Sequence, residues 1–185
     1  MSRLFFILAL LYVSVPVSGQ HLFETREGYV AFNSEAPQEL IHASSNQLIG
    51  VLDAGKLSFA FKISMISFMG FNSPLQREHF NENYMESGIF PEATYKGKII
   101  EHVDLTREGT YEVRTKGKLT IHGIEQERII RATVINKDGR LRISSNFTVQ
   151  LADHNIKIPK VVNEKLSPEI QVSVKAELIP RNSTR

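Results

Sequence analysis

The chain has 185 residues, with 22 Lys+Arg against 20 Asp+Glu and a formal charge of +2. Apolar residues make up 42% and charged residues 23%, the balance of one globular domain rather than of a disordered chain or a fibrous repeat. Cysteine is absent, which excludes disulfides, thiolate metal sites and thiol nucleophiles, and the near-neutral charge leaves no concentrated basic footprint for nucleic acid.

The N-terminus comes first. Arg3 precedes an apolar run from Leu4 to Val15, Pro16 breaks it, and Val17-Ser18-Gly19 places small residues at a cleavage site. This pattern reads as a secretory signal peptide over 1–19. The run is too short to cross a bilayer, which takes ~20 apolar residues. No second apolar run follows, so no membrane span is expected in the mature chain. The expected product is exported, periplasmic or secreted. It has one domain over 20–180 and a loose tail over 181–185.

Period-two alternation dominates the rest. Leu57, Phe59, Phe61 and Ile63 share one face against Lys56, Ser58, Ala60 and Lys62. Tyr111, Val113, Thr115, Gly117, Leu119 and Ile121 alternate with Glu112, Arg114, Lys116, Lys118 and Thr120. Leu141 to Leu151 and Glu169 to Leu178 repeat the pattern. One dry and one wet face per strand is the mark of antiparallel sheet. The pattern predicts strands near 22–26, 29–34, 48–53, 56–64, 94–103, 110–121, 127–136, 140–151 and 169–178. Asp138-Gly139 between two such runs is a hairpin signal.

Ser73-Pro74-Leu75-Gln76 carries Ser at a helix N-cap, Pro at the first helical position and Gln three after the cap. It predicts one helix over about 73–87. A second, short helix is expected over about 159–166. The fold class that follows is all-β: a closed antiparallel barrel of about eight strands, since closure removes the exposed edges that such apolar strands would otherwise present. A sandwich is the other arrangement open to strands of this number.

Few residues suggest chemistry. Gly50 to Lys56 matches the spacing of a phosphate loop, but Leu57 stands where Ser or Thr is required and a strand follows instead of a helix. A hairpin turn fits better. The six histidines show no metal-ligand spacing, and His122, at a strand end beside Gly123, reads as a structural histidine. No catalytic residue, metal site or cofactor is nominated.

Phe and Met concentrate between residues 59 and 90. Phe59, Phe61, Met65, Phe68, Phe71 and Phe80 are the first candidates for the wall of an apolar tunnel. Met85, Phe90, Tyr111, Val113, Phe147 and Val149 complete the set. A filled core is the alternative use of the same side chains, because a barrel of this size either packs its interior or holds one ligand.

Gly117-Lys-Leu-Thr-Ile-His-Gly-Ile124 resembles the G-x-L-T-[LI]-H-G-[VI] segment of the YceI-like family. Arg77-Glu-His79-Phe80, Tyr84-Met-Glu86 and Phe90-Pro91-x-x-Thr94-Tyr95 follow that family's order upstream. Met85-Glu86 stands where Phe-Asp is common, and Phe90 where Tyr is. The resemblance runs from about Tyr29 to Leu178. It implies a lipocalin-like eight-stranded barrel, export to the bacterial periplasm and, in at least one branch, a polyisoprenoid held in an apolar tunnel. It carries over no catalytic residues.

The leading expectation is therefore a lipid-binding protein, not an enzyme, that holds a polyisoprenoid or other long-chain lipid for carriage or storage. The rival readings are a stress-linked periplasmic barrel without ligand and, less favoured, an enzyme using the same cavity. A homo-oligomer is compatible with the sequence.

Overall fold

A computed structural model describes residues 21–181. The signal-peptide reading of 1–19 lies outside the described residues, as does most of the tail. Arg181, the first tail residue, donates its backbone N–H to the Leu22 carbonyl at 2.8 Å.

Eight strands form a closed antiparallel barrel in chain order. They are β1 (Leu22–Glu35), β2 (Leu40–Asp53), β3 (Ser58–Ser64) and β4 (Glu92–Ile99), then β5 (Gly109–Ile121), β6 (Ile124–Lys137), β7 (Arg140–Gln150) and β8 (Glu169–Pro180). β8 returns to pair with β1. A short helix, α1 (Pro74–His79), continues into a π turn over Phe80–Tyr84 on the β3–β4 connection.

The alternation sets the inner face as expected. Phe59, Val113 and Val149 are buried, with Phe61, Tyr111 and Phe147 half-buried on the same side, while Lys62, Glu112 and Arg142 are exposed. A one-residue slip would have inverted every one of these. Gln150 is half-buried because β7 ends there and its amide donates to Glu169.

Several boundaries differ from the sequence reading. The two expected N-terminal strands are one: Gly28 sits in a bulge, where the β1–β2 register shifts between Thr25 and Val30. β2 starts eight residues earlier than its alternation indicates. Its first half carries small inner residues, Ala43 and Ser45, and the chain after β3 packs over them: Met69 bridges Ser44, and the Ser67 and Ser45 hydroxyls meet at 2.7 Å. The expected helix over 159–166 is a single 3-10 turn, Lys160–Val162. Val161-Val162 are β-branched and favour helix poorly. The 73–87 helix is shorter than expected, since the π turn takes over at Phe80.

Two tight hairpins explain two dipeptides. In the β6–β7 turn Asp138 and Gly139 have φ of 52° and 69°; in the β5–β6 turn His122 and Gly123 have 50° and 71°. Both positive values are what a two-residue type I′ turn requires. The Gly50–Lys56 stretch is likewise a hairpin, in which Asp53 Oδ1 accepts from Gly55 N and Lys56 N at 3.0 and 2.9 Å. Those bonds, led by the one from Lys56 N, hold the Asp53 carboxyl below its usual range.

β4 and β5 approach each other closely. Gly97 faces Gly117 across the ladder, and a Cβ on Gly97 would lie 2.2 Å from the Lys116 carbonyl oxygen. Only glycine permits this approach.

Candidate functional site

The barrel is closed at one end and lined as a cavity towards the other. At the closed end Leu105, Leu141 and Leu178 are fully buried. Asn136 Nδ2 donates to the Leu105 carbonyl at 2.8 Å, and the Tyr111 hydroxyl donates to the Asp104 and Arg107 carbonyls at 2.9 and 3.0 Å. These bonds fix the 100–108 loop beneath the barrel. The opposite end carries the β1–β2 turn, the long β3–β4 connection, the β5–β6 turn and the β7–β8 connection.

Between them lies a cavity of ≈ 270 Å³. Of the side chains expected in its wall, Phe59, Phe61, Met65, Phe68 and Phe71 line it, as do Phe80, Met85, Val113, Phe147 and Val149. Tyr111 and Phe90 do not. Tyr111 belongs to the closed end, and the Phe90 ring packs edge-on against His122 with centroids 4.5 Å apart, over Gly123. Sequence reasoning missed Phe32, Tyr84, Tyr95, Ile130, Val172 and Leu166, which also line the cavity. Val172 lies on the inward face that the alternation of 169–178 gives, while Phe32, Tyr95 and Ile130 lie on expected strands whose own alternation is too short or too mixed to show a dry face. Tyr84 and Leu166 are placed only by the connections.

The polar atoms inside are satisfied by the wall itself. Tyr95 OH meets Thr115 Oγ1 at 2.9 Å, Thr115 Oγ1 donates to the Ile130 carbonyl at 2.9 Å, and Ser145 Oγ donates to the Arg131 carbonyl at 2.6 Å. Burial, first among the influences on it, raises the Tyr95 phenol above its ordinary range, so it stays neutral. A guest inside the barrel meets hydrocarbon and already-paired hydroxyls.

Four rings plug the open end. Phe80, at the junction of α1 and the π turn, stacks on Phe32 with centroids 5.4 Å apart and tilts against Phe71 and Phe68 at 5.0 and 5.9 Å. Their positioning starts with the Ser73 cap, whose side chain accepts from Gln76 N at 3.1 Å with Pro74 following it. Gln76 then reaches outward, accepting from Asn72 N at 3.0 Å and donating to Glu39 at 2.8 Å. This ties α1 to the β1–β2 turn. The π turn turns Phe80, Tyr84 and Met85 into the cavity.

Among the described residues, a half-buried histidine–carboxylate contact lies at the β5–β6 turn. His122 Nε2 lies 2.6 Å from Glu86 Oε2, and its Nδ1 lies 3.1 Å from the His154 carbonyl. Both ring nitrogens are thus occupied by contacts within the protein. His154 is fully buried, with Nδ1 3.1 Å from the Ile124 carbonyl and Nε2 without a partner; burial pushes it below the ordinary histidine range.

Comparison with solved structures shows the same fold at low identity. A polyisoprenoid binding domain from Saccharophagus degradans, described as implicated in plant cell wall breakdown, superposes with a TM-score of 0.74 and 14% identity, over 88% of this chain and 99% of that one. BcnA from Burkholderia cenocepacia gives 0.67 and 16%, over 82% and 95%. The YCEI protein of Campylobacter jejuni gives 0.56 and 15%, over 98% and 94%. No curated protein matches this sequence. The model of the YceI-like domain matches residues 8–178, nearly the whole chain, and with that match the protein belongs to the YceI-like family.

Proposed function

We propose that this protein is an exported lipid-binding protein that encloses one long apolar chain, a polyisoprenoid or a lipid of similar length, for carriage or storage. The observation that carries the reading is the cavity wall: almost entirely hydrocarbon, with the Tyr95, Thr115 and Ser145 hydroxyls spent on one another or on backbone carbonyls. A ligand with polar groups along its length would lose water bonds there and gain none. An apolar chain gains roughly 0.8 kcal/mol for each buried CH₂. Its polar terminus belongs at the open end, beside α1 and the turns. The name given to the Saccharophagus degradans domain, which has the same fold, supports the ligand class. The apolar run at the N-terminus supports export.

Organic extraction of protein purified from its own cells, followed by mass spectrometry, tests this. The expected result is a polyprenyl or other long-chain lipid in about equimolar amount. A clean extract, together with failure of the purified protein to take up radiolabelled polyprenol from detergent, would sink it.

A further inference from the structure

A cargo of this kind has to enter from an apolar phase and return to one, and the end of the barrel opposite the 100–108 loop carries a surface suited to that. Leu40 on the β1–β2 turn, Met69 and Leu75 on the β3–β4 connection and Val161 on the β7–β8 connection are all more than half exposed, Val161 reaching 89%. They come from three separate connections that hydrogen bonds join into one ridge. Asn72 Nδ2 donates to the Leu40 carbonyl at 3.0 Å, and Gln38 N donates to the Glu164 carbonyl at 2.9 Å. The ridge rims the open end of the cavity, whose half-buried wall residues there are Ile41, Phe71 and Leu166.

The chemistry beside Val161 selects the partner. Lys157, Lys160 and Lys165 flank it on the same connection; all three are exposed, and none makes an ion pair among the described residues. Of the acidic groups at this end, Glu39 and Glu164 accept from the side-chain amides of Gln76 and Gln38, while the exposed Glu35 and Glu78 lie beside Leu40 and Leu75, so the basic surplus is confined to the segment around Val161. Apolar tips standing singly on the connections, with lysines on either side of Val161, suit a planar lipid interface: the tips enter the acyl boundary and the ammonium groups meet phosphate. A protein partner would call for a continuous packed patch instead.

We infer that the open end, with Leu40, Met69, Leu75 and Val161 as insertion points and Lys157, Lys160 and Lys165 as head-group contacts, docks on anionic phospholipid bilayers to load and unload the cavity. This rests on the lipid-binding reading. The β7–β8 connection joins docking to access, since Ile156 and Leu166 line the cavity while Val161 between them faces outward. Drawing Val161 into a bilayer pulls on the cavity wall.

The test is flotation of the purified protein with phosphatidylcholine vesicles, with and without phosphatidylglycerol. Polyprenol uptake from detergent is measured separately on the same samples. The wild type is expected to float with the anionic vesicles. Leu75→Asp combined with Val161→Asp is expected to weaken this by about tenfold or more, and each of Lys157, Lys160 and Lys165 changed to Ala by about fivefold. All of these retain uptake from detergent, which needs no docking. Ile129→Asp, on the exposed barrel wall, floats as the wild type does. A wild type that stays at the bottom of the gradient overturns the inference, and so does a double variant that floats unchanged. A wild type that floats yet takes up no polyprenol supports the docking face and overturns the cargo assigned to the cavity.

Discussion

Glu86 and His122 hold each other across the foot of the β3–β4 connection at 2.6 Å, and both do so from left-handed backbone, with φ of 44° and 50°. Two non-glycine residues in that region, bonded to each other, clasp the long connection to the β5–β6 turn. The imidazole bridges the Glu86 carboxylate on one side and the His154 carbonyl on the other.

Breaking this clasp is expected to affect stability rather than binding. His122→Ala removes two hydrogen bonds and keeps a Cβ residue at the same positive φ, a loss of about 1–3 kcal/mol. His122→Gly relieves the backbone and loses less. Urea denaturation gives the ranking, and polyprenol capacity stays within a few fold in both variants. A folded His122→Ala protein that has lost its capacity would move the polar turn into the binding site.

The Ser73 cap is a second structural lever. Ser73→Ala strips the acceptor from Gln76 N and should cost roughly 0.5–2 kcal/mol. An unchanged thermal midpoint would show that the tie from Gln76 to Glu39, and not the cap, holds α1.

Polarity inside the wall should be incompatible with cargo. Phe61 lines the cavity against Gly50, and Phe61→Asp places a carboxyl where no donor waits. Burying it unpaired costs several kcal/mol or forces it neutral. Lipid uptake is expected to vanish, with circular dichroism run alongside to separate loss of binding from loss of fold. Retained uptake would place the ligand elsewhere.

His154 makes stability depend on pH. Burial depresses its folded value, so the unfolded chain binds the extra proton first. Its contribution is present above the ordinary histidine range of about 6.5 and is lost as pH falls through the folded value. Denaturant midpoints across mildly acidic pH should decline in the wild type and decline less in His154→Asn. Parallel profiles would assign the acid sensitivity to other groups.

Gly97→Ala tests the close approach of β4 and β5. A Cβ there meets backbone, not a side chain that can step aside. A loss of about 1–3 kcal/mol or more is expected, visible as a lowered urea midpoint or insoluble expression. Tolerance would mean that the two strands can separate locally.

The alternation of residues 56–63, 110–121, 141–151 and 169–178 already contained the antiparallel strands and their dry faces, because a period of two sends Phe59, Val113 and Val149 one way and Lys62, Glu112 and Arg142 the other whatever the partner strand. Ser73-Pro74 and Asp138-Gly139 likewise declared a helix start and a turn through local backbone chemistry. Other features depended on contacts between residues distant in the chain. The early half of β2 has no alternation of its own and is strand because β1 pairs with it and the chain after β3 packs on its small residues. Tyr111 keeps the inward direction of its strand yet serves the closed end, since the 100–108 loop brings the Asp104 and Arg107 carbonyls to its hydroxyl. Phe90 sits in the same aromatic run as Phe80, but the clasp between Glu86 and His122 turns it onto the β5–β6 turn and out of the cavity. A strand's own residues determine which face is dry; whether that face lines a cavity or seals it is decided by loops that only the closed barrel brings together.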